Sequence, residues 1–335
     1  MKISNRRYIG SKSKLADWIF DKIQKNTSGY SFCDLFAGTG IISKNAIRFY
    51  DTLIINDILY SNEVIYNAFF FSQEYSMDKI DSIVYDFNSV EVGKINSNYF
   101  DKNFGGKYFG KNDAKKIGYI REKLEEYKKN KMINYKEYCI LLTSIIYSAD
   151  KIANTVGHYE AYIKKDIIDN KFVLNTINVL DTKNKHIEIY REDANELAKN
   201  IEADVVFLDP PYNSRQYSRF YHVIENLVKW EKPKLYGVAL KPKEDNMSDY
   251  CRVNAPNVFD SLVGALKCNY IVVTYNNTYN SKSSSSKNKI KFEEILSSLN
   301  KRGKTIYFEK KHQFFNAGKT DFSNHKEILF ITEVK

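Results

Sequence analysis

Val205-Val206-Phe207-Leu208-Asp209-Pro210-Pro211-Tyr212-Asn213-Ser214 decides how the chain is read. Four consecutive apolar residues predict a strand buried on both faces. Asp-Pro-Pro ends it, because proline has no N–H for a ladder and fixes φ near −65°. The stop leaves a carboxylate, a rigid backbone carbonyl and an aromatic ring at the carboxyl end of the strand. In open α/β sheets that edge is where ligands bind. A capped strand end would look the same in isolation, so the reading depends on what surrounds it.

Upstream, Phe32-Cys33-Asp34-Leu35-Phe36-Ala37-Gly38-Thr39-Gly40 followed by Ile41 to Phe49 reads as strand, glycine turn and helix. Gly38 and Gly40 let the backbone approach a ligand where a Cβ would clash. Ser43 stands where a dinucleotide fingerprint has its third glycine, and no Gly-Lys-Ser/Thr of a phosphate loop is present. The turn therefore favours an adenosyl ligand without phosphates over NAD or ATP. A second strand, Thr52 to Asp57, ends in an acid 17 positions after Gly40, suited to two ribose hydroxyls. Before the turn, Arg6-Arg7-Tyr8-Ile9-Gly10-Ser11-Lys12 leads into a helix over Leu15 to Ile23, and Lys12 can reach a carboxylate at that helix start. Downstream, His186 to Asp193 predicts a strand ending in an acid. Tyr270 to Asn277, Thr305 to Phe308 and Glu327 to Val334 predict three more strands.

The stretch from about 75 to 185 breaks this alternation and reads as an inserted, mainly helical module, with helices expected over Ala114 to Lys129 and Tyr138 to Ile152. Positions 101–136 carry 10 Lys and one Arg against five acids, a net +6 that favours phosphate contacts. Asn103 to Lys111 is expected as a mobile basic-aromatic loop, with Lys107, Lys111, Lys115 and Lys116 as candidate phosphate contacts. Ser281 to Lys289 is Ser/Lys-rich and is expected to be disordered or DNA-facing.

Across 335 residues the net charge is +10, and aromatics make up 15% of the chain, with 26 Tyr and 21 Phe. A basic surplus interleaved with aromatics suits a polyanion whose bases can be stacked upon. An AT-rich coding sequence also raises Lys, Asn, Ile and Tyr. No run approaches the ~18 apolar residues of a membrane span, and the N-terminus lacks a signal-peptide core. The four cysteines (Cys33, Cys139, Cys251, Cys268) show no metal-site spacing and read as reduced thiols, so a cytoplasmic protein without a metal is expected.

Taken together these segments resemble the D12-class (α-group, Dam-like) DNA adenine-N6 methyltransferases. Tyr8-Ile9-Gly10-Ser11-Lys12 is similar to the family's N-terminal motif, Asp34 to Gly40 to its cofactor motif, and Asp209-Pro210-Pro211-Tyr212 is identical to its catalytic tetrapeptide. Phe220-Tyr221-His222 is similar to the aromatic segment that follows. The resemblance implies an α/β, Rossmann-like methyltransferase fold with a mostly parallel, roughly seven-stranded sheet. It places the catalytic domain at 1–75 and 186–335 and a target-recognition domain at 76–185. It implies S-adenosyl-L-methionine as cofactor, held by Tyr8, Lys12, Asp34, Phe36, Gly38, Thr39, Gly40, Asp57, Asp193 and Asp209. Asp57 takes the ribose-binding position, and Asp193, 16 residues before Asp209, the position facing the adenine. Asp209, Pro210, Pro211 and Tyr212 become the catalytic set, and Lys12, Tyr217, Phe220, Tyr221 and His222 join the lysines as DNA-facing residues. Ser11 departs from a common glycine, and the insertion is unlike Dam's, so Dam's GATC preference is not carried over.

The implied reaction moves a methyl group to the N6 amine of an adenine flipped out of double-stranded DNA, by a monomer in a bacterium or phage, beside a restriction endonuclease acting separately or as an orphan enzyme. That amine is a poor nucleophile because its lone pair is delocalised. Acceptors on its two N–H bonds, the Asp209 carboxylate and the Pro210 carbonyl, would draw it toward sp³ geometry. Tyr212 would stack on the base near the sulfonium. The alternatives are a cytosine-N4 methyltransferase, which usually carries Ser where Asp209 stands, and a catalytically silent DNA-binding protein of the same fold.

Overall fold

The computed structural model describes residues 1–164, 167–276, 288–311 and 326–335. In chain order the helices are α1 (Ala16–Asn26), α2 (Ile41–Ala46), α3 (Tyr60–Phe69), α4 (Met77–Ser89), α5 (Tyr99–Phe104), α6 (Lys111–Lys129), α7 (Tyr135–Ile152), α8 (Ala194–Leu197), α9 (Tyr217–Phe220), α10 (His222–Lys229), α11 (Ala255–Ala265) and α12 (Phe292–Asn300). The strands are β1 (Ser31–Asp34), β2 (Thr52–Asn56), β3 (His186–Tyr190), β4 (Val205–Leu208), β5 (Tyr270–Asn276), β6 (Gly303–Lys311) and β7 (Lys326–Val334). The chain divides into two compact units. One comprises Met1–Gly10, Leu59–Lys183 and Ser218–Asp245; the other comprises Ser11–Ile58, Asn184–Tyr217 and Asn246–Lys335.

The second unit is a seven-stranded sheet in the order β3-β2-β1-β4-β5-β7-β6. Strands β1 to β5 are parallel, and β7 runs antiparallel to both neighbours. The expected Rossmann-like, mostly parallel fold of seven strands is what forms. The apolar run of the opening decapeptide is the reason: all four residues of β4 are buried, as a central parallel strand requires. The chain builds β1, β2 and β3 to one side and then returns to lay β4 against β1, with Asp34 opposite Phe207. The order reverses at that point, so the carboxyl ends of β1 and β4 open a crevice with no crossover running above it. Val206, Leu208, Ile271, Val273, Phe259, Leu262 and Phe330 belong to one apolar core on this sheet.

The first unit is helical. Its centre is α7, whose Ile140, Leu141, Leu142, Ile145, Ile146 and Ala149 are all fully buried. A helix buried on nearly every side is a core helix, and α7 is buried from Lys136 to Asp150. Asn134 caps it and Glu137 reaches back to the Asn134 N–H, closing a capping box. This unit takes more of the chain than the expected 76–185. The helix α3, buried along most of its length, packs on α7, and α10 packs on both, so residues 59–75 and 218–245 join it. The basic-aromatic stretch expected as a mobile loop is also part of its core. Phe104, Tyr108 and Phe109 are fully buried, because in this short turn the rings face inward while the polar residues face out. The expected Ser/Lys-rich segment lies, from Ser281 to Lys287, outside the described residues.

Candidate functional site

In the sheet unit the glycine turn adopts the backbone the sequence suggested. Gly38 and Gly40 have φ of 52° and 72°, the left-handed region that favours glycine. Asp57, just beyond β2, accepts the Gly38 N–H at 2.9 Å, and Asn56 accepts the Ala37 N–H at its carbonyl. Asp34 is fully buried beneath the turn. One oxygen accepts both the N–H and the hydroxyl of Ser43, at 3.1 and 2.6 Å; the other has no hydrogen-bond partner among the described residues. Burial, with Asp209 and Asp57 nearby, pushes its carboxyl up to about 7. Asp34 therefore braces the turn from below, and Ser43 serves as its partner where a third glycine would stand. Asn56 bridges the ends of two strands, donating to the Leu35 and Glu192 carbonyls and accepting the Glu192 N–H.

At the end of β4 the register of the neighbouring strand decides the geometry. Leu208 pairs with Val273, so the next position sets Thr274 beside Asp209. The Thr274 hydroxyl donates to Asp209 Oδ1 at 2.7 Å, and its backbone carbonyl accepts the Tyr212 hydroxyl. One residue thus grips both ends of Asp209-Pro210-Pro211-Tyr212. Tyr212 is buried, with its ring edge-on to Tyr275 at 4.9 Å. Lys12 Nζ lies 3.0 Å from Asp209 Oδ1 and 3.0 Å from Glu327 Oε1. Burial works to lower the Lys12 ammonium, but the two carboxylates outweigh it and hold the group above its ordinary value. Tyr217 is half-buried near the same cluster, and its phenol is pushed up by burial first and then by Asp209 and Asp57.

Beside this cluster, Phe36 meets Tyr250 edge-on at 5.1 Å, and the Tyr250 hydroxyl donates to Asn195. Asp193 is exposed and caps α8, accepting the N–H groups of Asn195 and Glu196. The sequence did not single out Glu327, Thr274 or Asn56, and it marked Ser43 only as standing where a third glycine would be. Thr274 could have been found by aligning β5 with β4, but nothing in the sequence around Glu327 marks it. Among the described residues no group of three or more His, Cys, Asp or Glu is arranged to hold a metal.

The remaining expected residues fall in the helical unit, where several are structural. Tyr8 and Tyr221 stack face to face at 4.8 Å with 4° between their planes, and the Arg6 guanidinium lies 5.1 and 5.4 Å from the two rings. Tyr221 is buried, and its hydroxyl accepts the Ile9 N–H; Tyr8 is the half-buried member of the pair. Arg6 is itself buried, donating to Asn62 and to the Ser61 hydroxyl. Phe220 is buried and stacks on His158 at 4.3 Å. His222 is buried between the Ala239 and Arg219 carbonyls, and burial lowers its imidazole to about 4, so it is neutral at pH 7. A DNA-facing role for Phe220, Tyr221 or His222 would have to act through these packed contacts, since their rings are turned into protein.

The expected lysines divide. Lys111 is exposed at the start of α6, and Lys115 is half-buried. Lys107 donates to the Val238 carbonyl and lies over the Tyr162 ring. Lys116 is buried, donates to the Asn88 carbonyl and is lowered by burial, so it is not a surface phosphate contact. Part of the basic excess of the insertion is likewise internal: Lys136 donates to the Asn67 and Ala68 carbonyls, and Arg121 to those of Leu227 and Val228. The net charge of a segment does not distinguish a lysine on a solvated face from one that ties down helix ends.

Residues 8–290 match the family model of the D12 class N6 adenine-specific DNA methyltransferases. The chain is 30% identical over 344 residues to the type II methyltransferase M.NlaIII of Neisseria lactamica, covering 97% of this chain and 98% of that one. It is 33% identical over 291 residues to the modification methylase StsI of Streptococcus sanguinis and 32% identical over 291 residues to the type II methyltransferase M.FokI of Planomicrobium okeanokoites. These matches take 81% and 80% of this chain but 44% of each relative, so the chain spans under half the length of those two. The matched span holds Asp34 to Gly40, Asp57, Asp193 and Asp209 to Tyr212, which lie at or just beyond the carboxyl ends of β1, β2, β3 and β4. The chain belongs to the D12 class of N6 adenine-specific DNA methyltransferases.

Proposed function

We propose that this chain transfers a methyl group from S-adenosyl-L-methionine to the N6 amine of an adenine flipped out of double-stranded DNA. The observation that carries the proposal is Asp209, held at the end of β4 by Thr274 and Lys12 beside a glycine turn closed by acids. The donor set of that turn suits the cofactor. Asp34 and Asp57 flank it, and no Lys or Arg occurs from Asp34 to Gly40, which disfavours phosphate and favours an uncharged adenosyl group. Asp57 would take the ribose hydroxyls, Phe36 would lie against the adenine, and Asp193 would accept from the adenine edge. When bound, the cofactor supplies a methyl group on a sulfonium.

The chain's own groups do the rest. The Asp209 carboxylate and the Pro210 carbonyl accept the two N–H bonds of the amine and localise its lone pair. The adjoining prolines keep that carbonyl still, and Tyr212 fixes the loop through Thr274. The base must leave the duplex for its amine to reach these acceptors. In the helical unit, proposed as the target-recognition unit, Tyr8 is proposed to stack on a base, and Lys111 and Lys115 are proposed to meet phosphates. The setting proposed is a bacterial or phage cytoplasm, with a monomer modifying DNA beside a separately acting restriction endonuclease. Incubating the protein with methyl-labelled cofactor and duplex DNA, then digesting to nucleosides, tests the reading. Label in N6-methyladenine with the wild type, and none with Asp209→Ala that still binds cofactor, is the expected result. Label with both proteins, or none with the wild type, overturns it.

A further inference from the structure

The buried acid on β7 has no place in the mechanism so far. Glu327 pairs in register with Asn276, at the end of β5 where Thr274 holds Asp209. Its side chain is 4% exposed, and among the described residues no hydrogen-bond donor is aligned on Oε1; what faces that oxygen is the Lys12 ammonium at 3.0 Å. Burying a carboxylate is costly unless it is paired. A sheet strand gains nothing from carrying one, and Ile328, Leu329, Phe330 and Ile331, the next four residues, are all apolar and buried. The acid therefore belongs to the site and not to the sheet.

We propose that Glu327 is a positioning residue for methyl transfer, sharing the charge of Lys12 so that the ammonium does not fully neutralise Asp209 beside the amine. The proposal rests on the reading of Asp209 given above. With Lys12 and Asp209 alone, the ammonium would lie against the one Asp209 oxygen that Thr274 also holds, and the pair would be neutral. Burial pushes the Glu327 carboxyl up and Lys12 works against that shift; with Glu327 ionised the three groups sum to −1. That matters because the N6–carbon bond forms as the sulfur–carbon bond breaks, which moves the positive charge onto N6. The proton N6 then sheds passes to the Asp209 carboxylate and on to water. A site with a surplus negative charge stabilises both the cation and the proton's arrival.

The other titratable groups facing these two acids are Asp34, Tyr212 and Tyr217. Both phenols are held well above neutrality by burial first, so neither titrates in the assay range, whereas Asp34 does. The experiment is single-turnover methyl transfer between pH 5 and 9 for wild type, Glu327→Asp and Glu327→Gln, repeated on an Asp34→Asn background to remove that titration. Losing one of two like charges lowers the pH at which the site takes up its proton. The acidic limb of the rate should move down by about one unit in Glu327→Gln, by less in Glu327→Asp, and the plateau rate should fall about tenfold while KM for DNA changes little. If Glu327→Gln does not fold, Glu327→Asp carries the comparison. A folded variant with the wild-type limb and only a lower melting temperature overturns the proposal. A wild type that transfers no label to DNA overturns instead the reading on which it rests.

Discussion

Replacing Thr274 by Val tests the two-handed grip on Asp209-Pro210-Pro211-Tyr212. Val keeps the branched shape a buried strand position needs, so strand geometry is retained and only the hydroxyl is lost. The backbone carbonyl that accepts the Tyr212 hydroxyl remains. What disappears is one hydrogen bond to Asp209 Oδ1. A bond to a charged acceptor contributes roughly 1.5–3 kcal/mol, which is roughly 10- to 150-fold at about 1.4 kcal/mol per decade. The Asp209 side chain is 20% exposed, so water replaces part of the loss, and the lower part of the range applies. The single-turnover rate should drop about 10- to 30-fold, cofactor affinity should hold, and Thr274→Ser should recover most of the rate. A Thr274→Val enzyme within twofold of wild type would refute the claim that Thr274 orients Asp209.

Three further predictions follow from the same geometry. The Asp34 carboxyl is raised from 3.8 to about 7 in the folded protein, so the native state holds a proton the unfolded chain has lost. The stability this contributes is full below about pH 4 and falls as pH rises to about 7, by up to ~1.4 kcal/mol per pH unit. Asp34→Asn should flatten that slope in urea melts, and equal slopes would contradict the assignment. Asp57→Asn should weaken S-adenosylmethionine binding about 10- to 100-fold in calorimetry while saturating kcat stays within a few fold; unchanged affinity would remove Asp57 from the cofactor set. Lys111→Ala should reduce DNA affinity and lower the salt slope by about 0.9, whereas Lys116→Met should lower Tm and leave DNA affinity alone. A reversed pattern would move the phosphate contacts to other residues.

The parts of the site legible in the sequence are those built from consecutive residues. The Asp-Pro-Pro stop after four buried apolar residues, and the positive φ at Gly38 and Gly40, are local consequences of residue type. The parts that were not legible come from pairing and burial. Thr274 reaches Asp209 only through the β4–β5 register, and Glu327 reaches Lys12 only because β7 inserts antiparallel beside β5. Asp34 is read from the sequence as a cofactor-holding member of the glycine motif, and only the fold shows that it faces Ser43 beneath the turn. In the helical unit the same limit worked the other way. The rings of Phe104, Tyr108 and Phe109, expected in a mobile basic-aromatic loop, and the ammonium group of Lys116, expected to meet phosphate, are instead buried, as is Lys136 within the segment whose net charge favoured phosphate contacts.

The central claim, that Asp209 presents an adenine amine for methylation, is tested most directly by methylome sequencing of a methylation-free host expressing this chain beside an Asp209→Ala control. N6-methyladenine in a defined sequence motif is expected with the wild type and none with the variant. N4-methylcytosine in its place, or the same N6-methyladenine pattern with Asp209→Ala, would contradict it.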